Sequence, residues 1–182
     1  MKIKLLLICV ILLIACKNEE KTNSDSEGPV EEINVEEKAS NKLTLEIDLA
    51  TSHPDVFKFF ANDVFLNNNQ FMNLSVSQKL NENEKSKKMT FEFPENIQPD
   101  VLLGLNLGTK EEKEVTINEI NLTYGNTKFS ITPETIEDYF THNKFVEINS
   151  ETHKISTKKM DNKHNPTLFV RRKILDSIQN IY

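Results

Sequence analysis

Between residues 42 and 131 the chain alternates apolar and polar residues again and again, and this period of two leaves few folds open. Leu43, Leu45, Ile47 and Leu49 alternate with polar residues in "KLTLEIDL", and Met72, Leu74 and Val76 do so in "FMNLSVSQ". Met89, Phe91 and Phe93 follow the same rule in "KMTFEF", as do Val101, Leu103, Leu105 and Leu107 in "VLLGLNL". Successive side chains of a strand point to opposite faces, so each segment predicts a strand with one face to a core and one to water. In "EVTINEINLTY" Val115 and Ile117 are followed, after a skip, by Ile120, Leu122 and Tyr124. The change of parity at Asn118–Glu119 predicts a β-bulge. Gly125-Asn126 between two alternating runs predicts a hairpin turn. Several short strands at this spacing predict an antiparallel sandwich.

Two regions break the pattern. "DVFKFFANDVF" carries Val56, Phe57, Phe59 and Phe60 so close together that a strand greasy on both faces, buried between sheets, competes with a short helix; the strand is the expectation. In the C-terminal third, Thr132 can cap a helix with Pro133 at its first position and Glu134 near its positive end. Ile136, Tyr139 and Phe140 would share one face, and Asn143 can end the helix. "KFVEIN" and "HKIST" read as a short hairpin. Asn165-Pro166 repeats the cap-and-proline start, before a stripe of Leu175, Ile178 and Tyr182 with Ile174 and Ile181 beside it. The expected fold is mainly β: an antiparallel, jelly-roll-like sandwich with two peripheral C-terminal helices. The segments "DVFKFFANDVFLNNNQF", "VLLGLNLGTKEEKEVTINEINL" and "NPTLFVRRKIL" resemble, in order and spacing, the galactose-binding-like sandwiches of bacterial surface polysaccharide proteins. That resemblance covers Leu43 to Ile131 and part of the tail, and implies a role in contact with envelope glycans.

The amino terminus reads differently. Lys2 and Lys4 precede an apolar run from Leu5 to Ala15, eleven residues long. A bilayer-spanning helix needs about 20 apolar residues, so the run fits a removable signal peptide rather than a retained span. Leu13-Ile14-Ala15-Cys16 resembles the lipobox of bacterial lipoproteins. In that family the cysteine sulfur is diacylated, the leader is cut just before it, and the new amino terminus usually receives a third, palmitate-like chain. Two plainer readings compete: Cys16 as an ordinary residue near the end of a Sec signal, or the whole run as an uncleaved anchor. A single myristoyl-like chain attaches a protein only marginally, whereas two or three hold it on the membrane. Lys17 stands where an aspartate would favour inner-membrane retention, so an outer-membrane destination is expected. The order Cys16-Lys17-Asn18-Glu19-Glu20 is similar to the export tag of surface lipoproteins in some gliding and gut bacteria.

From Lys17 to Ser40 eight acids face three lysines, with few apolar residues between them. Such a composition cannot bury enough surface to offset the entropy of ordering, so a disordered, solvated spacer is expected. The division that follows is a leader at 1–15, a lipidated acidic linker at 16–40 and one β-rich domain at 41–182. No cysteine lies beyond Cys16, so the domain is built without disulfides.

Motifs of catalysis are missing. There is no nucleophile elbow, phosphate-cradling glycine loop or HExxH helix. His53, His142, His153 and His164 stand apart in sequence, and each reads more simply as a loop or surface residue than as a zinc ligand. The pairs Glu111-Glu112 and Glu137-Asp138 have the residue type of a glycosidase but carry no information about separation, and "TKEEKE" reads as a solvated turn. Asp63 with Asn67 to Asn69 is a candidate calcium ligand set without the alternation of an EF-hand loop. "FLNNNQF" offers amides to sugar hydroxyls or is simply a polar loop. From Asn41 onward 17 Lys and Arg face 20 acids, a balance that argues against nucleic acid. The expectation is a non-catalytic domain with no cofactor and no metal, recognising a glycan or an envelope protein. A surface-polysaccharide hydrolase and a purely structural envelope component are the alternatives.

Mass spectrometry of protein extracted from its native membrane is expected to show a chain that starts at an acylated Cys16. A free thiol there, or a retained leader, would contradict the lipoprotein reading.

Overall fold

A computed structural model describes residues 41–65, 71–95, 97 and 102–179, without the side chains of 63–65, 71 and 179. The leader, Cys16, the linker, Ile181 and Tyr182 lie outside the described residues. Two antiparallel sheets are built from β1 (Lys42–Thr51), β2 (Val56–Phe65), β3 (Phe71–Lys79), β4 (Ser86–Glu95), β5 (Leu102–Asn106) and β6 (Glu114–Tyr124). The later strands are β7 (Thr127–Ile131), β8 (Phe140–His142), β9 (Val146–Ile148), β10 (Ile155–Thr157) and β11 (Thr167–Val170). A 3₁₀ turn at Pro133–Thr135 and two helices, α1 (Ile136–Tyr139) and α2 (Arg172–Gln179), complete the described elements. The first sheet runs β4-β1-β6-β10-β9, with β7 paired to the other half of β6. The second runs β3-β2-β5-β11-β8. The chain winds as nested pairs: β2–β3 inside β1–β4, then β5 on the other flank of β2 and β6 on the other flank of β1. This is a jelly-roll-type winding, and the antiparallel sandwich expected from the alternation is the fold observed.

Alternation decides what the sheets enclose. Leu43, Leu45, Ile47 and Leu49 of β1 are buried, as are Phe57, Phe59 and Ala61 of β2 and Met89, Phe91 and Phe93 of β4. Phe59 reaches from the second sheet to the first, its ring 5.2 Å from that of Phe93 and 6.2 Å from that of Phe91. Burying one such side chain contributes about 1.5–3 kcal/mol. The bulge lies where parity changed: Asp48 pairs Glu119 but Leu49 pairs Ile117, so Asn118 has no opposite number. The extra residue returns Ile120, Leu122 and Tyr124 to the core side, where all are buried. Tyr124 remains satisfied because its hydroxyl donates to the Ile97 carbonyl at 2.7 Å. At the turn, Tyr124 pairs Thr127 and Gly125 adopts a φ of 55°, a conformation glycine takes without a Cβ penalty.

Four expectations need correction or refinement. "DVFKFFANDVF" is a strand, β2, but only one of its faces is buried: Phe57 and Phe59 enter the core while Val56 is 38% exposed and Phe60 half-buried. β3 is an edge strand, and Met72, 41% exposed, does not join the core, whereas Leu74 and Val76 pack partly against it. The first C-terminal helix is a 3₁₀ turn at Pro133–Thr135 followed by one turn of α1, because Phe140–His142 leaves to pair with β11. Asn165-Pro166 opens no helix. Thr167–Val170 is claimed on one side by β5 and on the other by β8, and α2 starts only at Arg172. Pairing on both edges overrides the local start signal, as tertiary context commonly does. Ile174, Leu175 and Ile178 are buried as that stripe required, and "KFVEIN" with "HKIST" does form a hairpin, β9–β10.

Urea unfolding should show Phe59→Ala destabilised by about 3–5 kcal/mol, the cost of a cavity at an aromatic core site. Met72→Ala, on an exposed edge, should stay within about 0.5 kcal/mol of the native chain.

Candidate functional platform on the second sheet

Because Phe57, Phe59 and Ala61 turn inward, their neighbours in β2 turn outward, and the strand registers line these up across the second sheet. Phe60 stands opposite Ser75 of β3 on one side and Gly104 of β5 on the other. Gly104 in turn faces Phe169 of β11, and Phe169 faces Thr141 of β8. One row therefore crosses all five strands: Ser75, Phe60, Gly104, Phe169, Thr141. Gly104 supplies the space for it. A Cβ there would stand 2.4 Å from Cζ of Phe60, so the ring lies across the bare backbone of β5. The rings of Phe60 and Phe169 meet edge to face, centroids 6.3 Å apart and planes at 83°. That is a favoured aromatic geometry, and it holds both rings half-buried and in place. Lys58, one outward position before Phe60, lays its ammonium 6.0 Å from that ring's centre.

Polar side chains flank the rings. Phe60 and Phe169 border a groove of about 320 Å³ together with Lys58, Asn62, Asn73 and Asn165. On its far side Phe169 also borders an open trough of about 630 Å³, with Leu102, Thr141, Arg171, Arg172 and Lys173. The two depressions share Phe169 and so form one strip along the face. Asn106 sits on its floor, but its amide nitrogen is committed to Asn165 Oδ1 (2.8 Å), the Pro166 carbonyl (3.0 Å) and Thr167 Oγ1 (3.2 Å). Asn106 shapes the groove rather than lining it with a free amide.

The chain's other concentration of buried polar groups lies at one end of the sandwich. Asp55, just before β2, accepts from the Lys113 ammonium, from the Val56 N–H at 2.7 Å and from the Lys110 N–H at 3.1 Å. Both side chains of the ion pair are essentially excluded from solvent, at 0% and 2% exposure. Burial by itself pushes the Asp55 carboxyl up, but the hydrogen bond from Lys113, the two backbone donors and the nearby positive charge outweigh it and hold its pKa below the usual value. Gly108, at φ 92°, packs so tightly that a Cβ would come 2.3 Å from Cγ of Asp55. Lys113 and Thr157 exchange hydrogen bonds, its N–H to Oγ1 and its carbonyl from the Thr157 N–H, both at 2.9 Å. His164 Nε2 lies 3.1 Å from that same Oγ1. With both Asp55 oxygens engaged, the cluster clamps the segment before β2 to the segment before β6, while His164 Nδ1 at its margin is buried without a hydrogen-bond partner.

The residues singled out from the sequence fare unevenly. Cys16 and the amides of "FLNNNQF" at 67–69 lie outside the described residues, as does the Asp63 side chain. His53 meets Ser52 Oγ at 3.0 Å and His142 the Asn143 carbonyl at 3.1 Å, each with a local partner. Among the described residues no three His, Cys, Asp or Glu side chains come together as a metal site. Glu111, Glu112, Glu137 and Asp138 are exposed and line neither depression. Reading "TKEEKE" as a solvated turn suits its glutamates but not Lys113, which is buried. Phe60 and Phe169 were missed as surface features. The signal was present: two phenylalanines in succession in a strand cannot share a face, and Gly104 interrupts the outward positions of "VLLGLNL" where a large neighbour needs room.

No protein-family model, no curated protein and no solved structure matches this chain.

Asp55 supplies the pH dependence to be expected of the clamp. Its folded pKa lies below the unfolded one, so its stabilisation is fully present above about pH 4 and is lost as pH falls through the lowered folded value. Asp55→Asn should cost about 3–5 kcal/mol at neutral pH, since it strands the buried Lys113 ammonium. Denaturation series from neutral to acid should then find the variant less acid-sensitive than the native chain.

Proposed function

We propose that this chain is a lipid-anchored lipoprotein of the outer membrane, with a non-catalytic sandwich that binds glycan on the outer face of its second sheet. The leader, the Leu13-Ile14-Ala15-Cys16 lipobox and the acidic spacer support the anchorage. The row Phe60–Gly104–Phe169 supports the binding surface. A sugar ring offers one apolar C–H face and a belt of hydroxyls that donate and accept. The two fixed phenylalanine rings match the apolar face. The amides of Asn62 and Asn73, with both donor and acceptor atoms, and the amino group of Asn165, whose oxygen accepts from Asn106, suit the hydroxyls. An open strip is also the shape for a segment of a longer polymer, whereas a small ligand is ordinarily enclosed on most of its surface.

Binding is favoured over hydrolysis by what lines the strip. A glycosidase sets two carboxyl groups about 5–9.5 Å apart across the scissile bond. Among the described residues, no Asp or Glu borders the two depressions.

Polysaccharide affinity electrophoresis over a set of envelope and dietary glycans tests the reading. The native chain should be retarded by at least one glycan. Phe60→Ala and Phe169→Ala should each weaken retardation about tenfold, which is about 1.4 kcal/mol, while both variants remain folded by circular dichroism. Unchanged retardation in both variants would move the binding surface elsewhere, and steady release of reducing ends would make the protein an enzyme.

A further inference from the structure

The chain as a whole is acidic, with 28 Asp and Glu against 22 Lys and Arg. The strip on the second sheet is not. Lys58 stands at one end of it, and Arg171, Arg172 and Lys173 border the trough at the other, with no carboxylate among the described residues of either lining. The opposite face of the sandwich has the reverse character: its depression, of about 270 Å³, is bordered by Glu46, Asp48 and Glu119 beside Lys88. Charge is therefore sorted between the two faces, and the positive side coincides with the aromatic row.

Part of the positive charge is already engaged. Arg172 Nε donates to Asp176 at 2.8 Å, which offsets its charge. Arg171 Nε donates to the Glu137 carbonyl at 2.8 Å, a neutral acceptor that orients the guanidinium and leaves its charge uncancelled by that bond. The Lys173 ammonium lies 5.1 Å from the centre of the Tyr139 ring, again a neutral partner. Arg171, Lys173 and Lys58 thus supply the surplus.

We propose that the strip selects polyanionic glycans, whose carboxylate or sulfate groups lie against Arg171 and Lys173 at one end and Lys58 at the other while the sugar rings rest on Phe60 and Phe169. This inference rests on the glycan reading and adds the charge class to it. Complementary rim charge in open solvent chiefly speeds encounter and rejects ligands of the wrong sign, so the selection is salt-sensitive.

Detergent-solubilised full-length protein is to be titrated with two pairs of polymers that differ only in charge: polygalacturonate with its carboxyl-reduced counterpart, and dextran sulfate with dextran. At least one charged member should bind about tenfold more tightly than its neutral partner. That preference should fade as salt shortens the screening length from about 10 Å to about 3 Å. Arg171→Gln/Lys173→Gln should weaken the charged polymer about tenfold more than the neutral one. Equal binding of both members of each pair would overturn the charge selection and leave the platform standing. Binding of none of the four would overturn both. Single-stranded DNA bound as tightly as the charged glycan would overturn glycan selection in favour of a general polyanion surface, since stacked aromatics in a basic groove serve that ligand too.

Discussion

The carboxylate of Asp55 holds together more of this molecule than its single position suggests. It precedes β2 of the second sheet, yet its partners Lys110 and Lys113 lie on the crossover that carries the chain from β5 into β6 of the first. Gly108 is drawn in against it, and the Gly108 N–H donates to the side-chain carbonyl of Asn106. Asn106 then reaches Asn165, Pro166 and Thr167, fixing the start of β11 beside the end of β5. A buried ion pair is weak evidence for stability in general, because desolvation consumes much of the attraction. Here the backbone donors complete the carboxylate's hydrogen bonds, and the result is a specified geometry at one end of the sandwich.

That geometry positions the outward aromatic row. Phe169 belongs to β11, a strand of four residues paired on both sides. A slip of one residue in so short a strand would turn Phe169 inward and Leu168 outward. The polar seam from Asp55 to Thr167 pins the strand at its first residue, so the aromatic pair above Gly104 inherits its alignment from a cluster at the end of the sandwich. The core contributes in parallel: Phe59, locked between Phe91 and Phe93, fixes the strand whose next residue is Phe60.

Legibility in the sequence followed the range of the interaction. Period-two alternation reports a local rule, and β1, β4, β5 and the bulged β6 were readable from it down to the parity change at Asn118. The β9–β10 hairpin and the turn at Gly125 are equally local. The C-terminal third was misread where distant strands recruited residues expected to be helical, at Phe140–His142 and at Thr167–Val170. Lys113 was hidden for a similar reason. Within "TKEEKE" nothing distinguishes it from its charged neighbours, and only Asp55, far away in sequence, makes its burial tolerable. The platform was half legible, since adjacent Phe59 and Phe60 must face apart, but the alignment of Phe60, Gly104 and Phe169 depends on three strand registers that no short window contains.

The bulge in β6 gives that strand something like a reading frame. Loss of either Asn118 or Glu119 would leave Val115, Ile117, Ile120, Leu122 and Tyr124 in unbroken alternation, every one still facing inward. Loss of a residue nearer either end, at Thr116 or Thr123, would instead put part of the set out of phase with the rest. The strand at the centre of the first sheet therefore carries its single spare residue at the one point where a deletion is silent to the core.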